Sequence, residues 1–134
     1  MEIEGAVAFV TGGSGGLGAV ISRLLAKAGA DVVVGYRSNR DEAERTATTI
    51  EALGRKAFLA QLDLSDPNSI QTAVAEATSA NGQLDILINN AGVASGGLSI
   101  PEGIWRRLRM RAGISAWQKA CLTTRLWIDH SKRD

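Results

Sequence analysis

Short apolar runs alternate with amphipathic stretches through residues 1–100, and this switching between two periods constrains the fold more than any other feature of the chain. Ala6-Val7-Ala8-Phe9-Val10 is a brief apolar run after a glycine, as expected of a strand covered on both faces. From Leu17 the apolar positions Leu17, Val20, Ile21, Leu24, Leu25 and Ala28 fall on one helical face, and Gly29 stands where a left-handed stop is wanted. The pattern then repeats. Residues 31–36 are short and β-branched, Ala43, Ala47, Ile50 and Leu53 mark a second helix ended by Gly54, and residues 57–62 read as a third strand. Asp66-Pro67 reads as an N-cap followed by proline at the first helical position. Ile70, Ala73, Val74 and Ala77 carry that helix to Asn81-Gly82, and residues 84–88 form a fourth strand. The order β-α-β-α-β-α-β with short connections predicts an α/β fold: a parallel sheet with right-handed crossovers and helices on both faces. That is half of a doubly wound, Rossmann-type nucleotide-binding architecture.

Composition narrows the setting. With 45% hydrophobic and 22% charged residues the chain is neither a disordered tail nor a disulfide scaffold, and its single cysteine, Cys121, has no intrachain partner. No apolar run approaches the roughly 20 residues a membrane-spanning helix needs. The net charge of +1 gives no reason to expect nucleic acid as a partner. A cytoplasmic protein without a membrane partner is expected. The average conceals a division, however. Residues 1–100 hold 7 Lys/Arg against 11 Asp/Glu, whereas residues 101–134 hold 8 against 3 and all three tryptophans. Two domains of different character are therefore expected: 1–100, a nucleotide-binding half-domain, and 101–134, a basic, tryptophan-bearing tail, helical or irregular.

Directly after the first strand comes Thr11-Gly12-Gly13-Ser14-Gly15-Gly16-Leu17-Gly18, opening the first helix. Gly13, Gly15 and Gly18 match G-x-G-x-x-G, while Gly12, Gly16 and Gly18 match T-G-x-x-x-G-x-G. Small residues let the backbone approach a pyrophosphate, and the helix N-terminus supplies free N–H groups and the positive end of its dipole. A tight turn that serves packing alone is the alternative. A mononucleotide P-loop is excluded, because no Gly-Lys-Ser/Thr follows. At the end of the second strand an NAD-preferring site wants an acid. The stretch here is Tyr36-Arg37-Ser38-Asn39-Arg40, with no acid before Asp41. Arg37 instead offers planar donors and positive charge to a 2′-phosphate, with Ser38 or Arg40 as helpers, so NADP(H) is favoured over NAD(H). A solvated loop arginine is the alternative.

These residues, together with Asp63-Leu64 after the third strand and Asn89-Asn90-Ala91-Gly92 after the fourth, resemble the short-chain dehydrogenase/reductases, in their 3-oxoacyl-carrier-protein reductase-like and sugar-dehydrogenase-like branch. The resemblance covers about residues 5–100. It implies a sheet of order 3-2-1-4 and hydride transfer between NADP(H) and a carbonyl or alcohol substrate. It also implies that Thr11, Gly12, Ser14, Gly16, Leu17 and Gly18 line the cofactor's phosphates and that Arg37 and Ser38 hold the 2′-phosphate. Asp63 would then meet the adenine amino group beside Leu64, and Asn90, Ala91 and Gly92 the ribose. Asp63 could instead cap a turn before Ser65-Asp66-Pro67, and Asn89 and Asn90 could serve the backbone alone.

The family's catalytic set is missing. It needs a tyrosine as acid/base and a lysine four residues on that lowers the phenol's pKa. The one tyrosine is Tyr36, and Arg40 lies four residues later. No catalytic residue and no metal ligand is therefore assigned. The expectation is an NADP(H)-binding protein kin to oxidoreductases, with a catalytically silent nucleotide-binding or interaction module as the alternative. A truncation or rearrangement after Ile100, or a natural short variant, would account for the tail. The outer edge of the fourth strand, left without a fifth, predicts a homo-oligomer or a covering by the tail.

Overall fold

The computed structural model describes residues 2–91. Seven elements follow one another: β1 Val7–Thr11, α1 Gly16–Lys27, β2 Asp31–Tyr36, α2 Arg40–Ala52, β3 Ala57–Gln61, α3 Pro67–Asn81 and β4 Ile86–Asn89. The four strands form one parallel sheet in the order β3-β2-β1-β4, as the resemblance implied. The expected tail, residues 101–134, lies outside the described residues, as does Gly92.

Side-chain alternation along the strands divides the core between the two faces of the sheet. Val7 and Phe9 of β1 and Val33 of β2 pack against Ile70, Ala73 and Val74 of α3. Val10, Val32 and Val34 face the other way, against Ala26 of α1 and Ala43 and Ile50 of α2. Phe9, Ile50 and Ile70 are fully buried, each stabilising the fold by about 2 kcal/mol on area grounds. Asp31, at the start of β2, is tied to the end of α2's connection by a 3.0 Å ion pair with Arg55.

Local chemistry sets the element ends. Asp66 caps α3 by accepting from the Asn68 amide at 2.9 Å, Pro67 follows at the first helical position, and Gly82 closes the helix with φ 75°. Asn39 caps α2 by accepting from the Glu42 amide at 3.2 Å, so that helix begins three residues before its first apolar position, Ala43. The fourth strand is displaced from the expected 84–88. Leu84 is buried before the strand begins, and the Asp85 carboxylate accepts from the Val7 amide at 2.9 Å. Ladder pairing with β1 therefore starts at Ile86 and runs on to Asn89 opposite Thr11. Among the described residues the outer edge of β4 has no strand partner. No helix among them is long and apolar enough to cross a membrane.

Candidate functional site

The loop between β1 and α1 is built from glycines that contacts demand. Gly12 has φ +63° and Gly16 φ +53°, in the left-handed region that side chains avoid. A Cβ on Gly18 would overlap the Gly12 carbonyl oxygen and lie 2.7 Å from Asn90 Nδ2. The first turn of α1 can therefore press against the loop only without a side chain at that position.

Donors from elsewhere in the chain hold the loop's carbonyls. Asn90 Nδ2 donates to the carbonyls of Thr11 at 3.2 Å and Gly12 at 3.0 Å. Thr11 Oγ1 donates to the Ile88 carbonyl at 3.2 Å and accepts from the amides of Asn90 and Ala91, each at 3.1 Å. Thr46 Oγ1, on α2, donates to the Ser14 carbonyl at 2.9 Å; within α1 itself the buried Ser22 hydroxyl donates back to the Gly18 carbonyl at 2.8 Å. The Gly13 amide is taken by the Gly35 carbonyl at 2.8 Å, which lays the loop across the end of β2.

The amides of residues 14–18 are treated differently. Among the described residues none of them donates to a protein acceptor. Gly15, the N-cap of α1, has no side chain to offer, and the first turn carries no acid. The result is a row of free N–H groups at the positive end of a helix dipole, a place that favours an anion. Leu17, in that first turn, is 65% exposed beside it.

Arg37 and Ser38 follow β2 and are exposed. Arg37 forms no ion pair among the described residues. Arg40 differs: its Nε is 2.8 Å from Glu44 Oε1, and that hydrogen bond, with the nearby Tyr36 phenol, raises its pKa. The Arg40 charge is thus engaged by a neighbour on its own helix, and of these two arginines Arg37 is the one without an ion-pair partner among the described residues. Asp63, after β3, accepts from the Ser65 amide at 2.8 Å and the Ser65 hydroxyl at 2.6 Å. It does act as a turn cap, the alternative considered for it. Leu64 is partly buried against the α3-side core. Asn90 holds the loop's backbone, and Asn89 Oδ1 is buried with no hydrogen-bond partner. Tyr36 is 5% exposed within the α1/α2-side core.

Thr11, Gly12, Ser14, Gly16, Leu17, Gly18, Asn90 and Ala91 therefore converge on one end of β1 and β4, with Arg37 and Ser38 beyond the neighbouring end of β2. Two residues with a place here went unnoticed in the sequence, Thr46 and Glu42. Both lie on one face of α2, four residues apart. Thr46 ties the Ser14 carbonyl, and Glu42 brings its Oε2 to within 2.7 Å of where a Gly15 Cβ would stand. The spacing of Asn39 and Glu42 was the available signal, since an acid three residues after a cap marks the first turn of a helix. A groove of about 300 Å³ opens between α1 and α2 at this point, lined by Ser14, Gly15, Arg23, Glu42 and Arg45 among others.

Comparison with known proteins agrees in kind. The sequence pattern of the family described as short chain dehydrogenase matches residues 6–110. An uncharacterized oxidoreductase of Methylorubrum extorquens is 45% identical over 92 residues, which are 69% of this chain and 37% of that protein. The short-chain dehydrogenase/reductase homolog YusS of Bacillus subtilis is 39% identical over 93 residues, 69% of this chain and 85% of that one. Among solved structures, a short chain dehydrogenase of Burkholderia cenocepacia in complex with NADP superposes with a TM-score of 0.70 at 36% identity, over 92% of this chain and 51% of that one. The chain thus spans well under two thirds of the Methylorubrum and Burkholderia relatives.

Proposed function

The chain belongs to the short chain dehydrogenase family, and from that premise we propose that it binds NADP(H) in preference to NAD(H), at the loop between β1 and α1. The observation that carries nucleotide binding is the row of free amides from residues 14–18 at an uncapped, acid-free helix N-terminus, with the surrounding carbonyls tied away. The preference draws on Arg37, exposed and without an ion pair among the described residues. In this reading Ser14, Gly16, Leu17 and Gly18 meet the phosphates, Arg37 and Ser38 the 2′-phosphate, Asp63 and Leu64 the adenine, and Asn90, Ala91 and Gly92 the ribose. The residues present fit such a group, because the amides of residues 14–18 are unclaimed at the acid-free start of α1 and a Cβ on Gly16 would meet nothing within 4 Å, so the loop is open on that side. The bound nicotinamide supplies hydride transfer between carbonyl and alcohol. The chain's own part is to fix the dinucleotide and to choose between its two forms.

Titration with NADPH and NADH, followed by nicotinamide fluorescence, tests this. Arg37→Ala is expected to weaken NADPH about tenfold or more, by loss of a charge-assisted contact, and to leave NADH nearly unchanged. Equal effects on both nucleotides would refute the 2′-phosphate assignment.

A second reading, binding without turnover, draws on Tyr36. It is the one tyrosine in the sequence, and it is packed in the core rather than presented at the loop. Under this reading the chain binds NADPH and reduces no carbonyl compound.

A further inference from the structure

Glu42 stands beside the proposed nucleotide site, and we infer that its carboxylate is a second determinant of cofactor choice, working against Arg37. The inference rests on the reading of the glycine loop and the Arg37-Ser38 segment as two parts of one nucleotide site. Three segments meet there. The Gly13–Gly35 hydrogen bond of 2.8 Å sets the loop over the end of β2, two residues before Arg37. The Asn39 cap fixes the first turn of α2 immediately after Ser38. From that turn Glu42 reaches back to the loop, its Oε2 2.7 Å from the position a Gly15 Cβ would take. In an ordinary capping box the acid at this position returns to its own helix cap. Here it faces the neighbouring helix's N-terminus instead, whose cap and first turn bring no acid of their own.

Glu42 forms no ion pair among the described residues. Arg23 and Arg45 line the same groove without forming one with it, so its charge is not cancelled by contact. The chemistry of the two cofactors then separates. A carboxylate accepts hydrogen bonds from a ribose 2′-hydroxyl and repels a 2′-phosphate, while a guanidinium does the reverse. The sequence places no acid at the end of β2, where an NAD-preferring site carries one. The structure supplies one from α2, beside the loop. Discrimination in favour of NADPH is therefore smaller than Arg37 alone would produce.

The test is titration of the full chain with NADPH and NADH for the wild type, Glu42→Gln and Glu51→Gln. The last removes the same charge at the far end of α2. Glu42→Gln is expected to tighten NADPH about fivefold at low salt without tightening NADH, by removing an exposed like charge. The gain shrinks as salt rises. Glu51→Gln leaves the ratio of the two affinities where it was. An unchanged or reduced NADPH preference in Glu42→Gln overturns the inference, and so does an equal rise in Glu51→Gln, which would mark a diffuse charge effect. Those results leave the nucleotide site standing. A wild type that binds neither nucleotide removes the site reading and the role of Glu42 together.

Discussion

Helices α1 and α3 begin in opposite ways. At α3 the Asp66 side chain takes the Asn68 amide, Pro67 removes one donor altogether, and the start of the helix is complete in itself. At α1 the cap is Gly15, no side chain accepts from the first turn, and the amides of residues 14–18 are unclaimed among the described residues. Both helices pack on the same sheet, one on each face. The difference teaches where stability was set aside. A capping acid is worth about 1 kcal/mol, and α1 forgoes it at the place where an incoming phosphate would do the same work. The loop is nevertheless not loose, since Asn90 and Thr46 hold its carbonyls and the Gly35 carbonyl takes the Gly13 amide.

The largest expected break in this comparison comes from Gly18→Ala. Its Cβ would collide with the Gly12 carbonyl, forcing the helix off the loop. We expect a loss of about 3 kcal/mol of stability by chemical denaturation and no measurable NADPH binding. Asp66→Ala should act on the other helix alone. Loss of the α3 cap costs about 1 kcal/mol in the same denaturation experiment, while the nucleotide affinities stay within error of the wild type. Any sizeable change in NADPH binding there would mean that the two helix starts are not independent.

The smallest effect on stability sharpens the contrast most. Leu17→Asp puts an acid in the first turn of α1, making it resemble α2, which carries Asp41 and Glu42. Leu17 is 65% exposed, so little packing is lost. The variant should gain about 0.5 kcal/mol from the helix dipole, read as a small rise in melting temperature, and should bind NADPH at least about tenfold more weakly by charge repulsion. A variant that is both more stable and equally good at binding would show that the helix start is not where the phosphates sit.

Much of this was legible along the chain. The Asp66-Pro67 cap, the Asn81-Gly82 stop and the turn glycines Gly29 and Gly54 are signals carried by one or two residues, and the structure uses each of them. The start of α2 was less clear, because the apolar stripe from Ala43 marks only the buried face and Asn39 lies outside it. The boundary of β4 moved because Leu84 is apolar for packing before the strand begins, and apolar character alone does not separate a buried approach from a paired strand. Asp63 and Asn90 had two readings each in the sequence. In both cases the backbone role is realised, Asp63 at the Ser65 turn and Asn90 on the loop.

What the sequence determined by itself was the order of elements, the place of the glycine loop between a strand and a helix, and the absence of a tyrosine–lysine pair. Each depends on residues adjacent in the chain or on simple inventory. What only the tertiary structure decided was which side chains meet that loop. Thr46 reaches the Ser14 carbonyl from 32 residues away, and Asn90 reaches the Gly12 carbonyl from 78. Glu42 arrives at Gly15 only because α2 packs beside α1 and turns that face toward it. Such meetings follow from the sheet pairing β1 with both β2 and β4, which brings distant segments to one end of the strands. No local period encodes them.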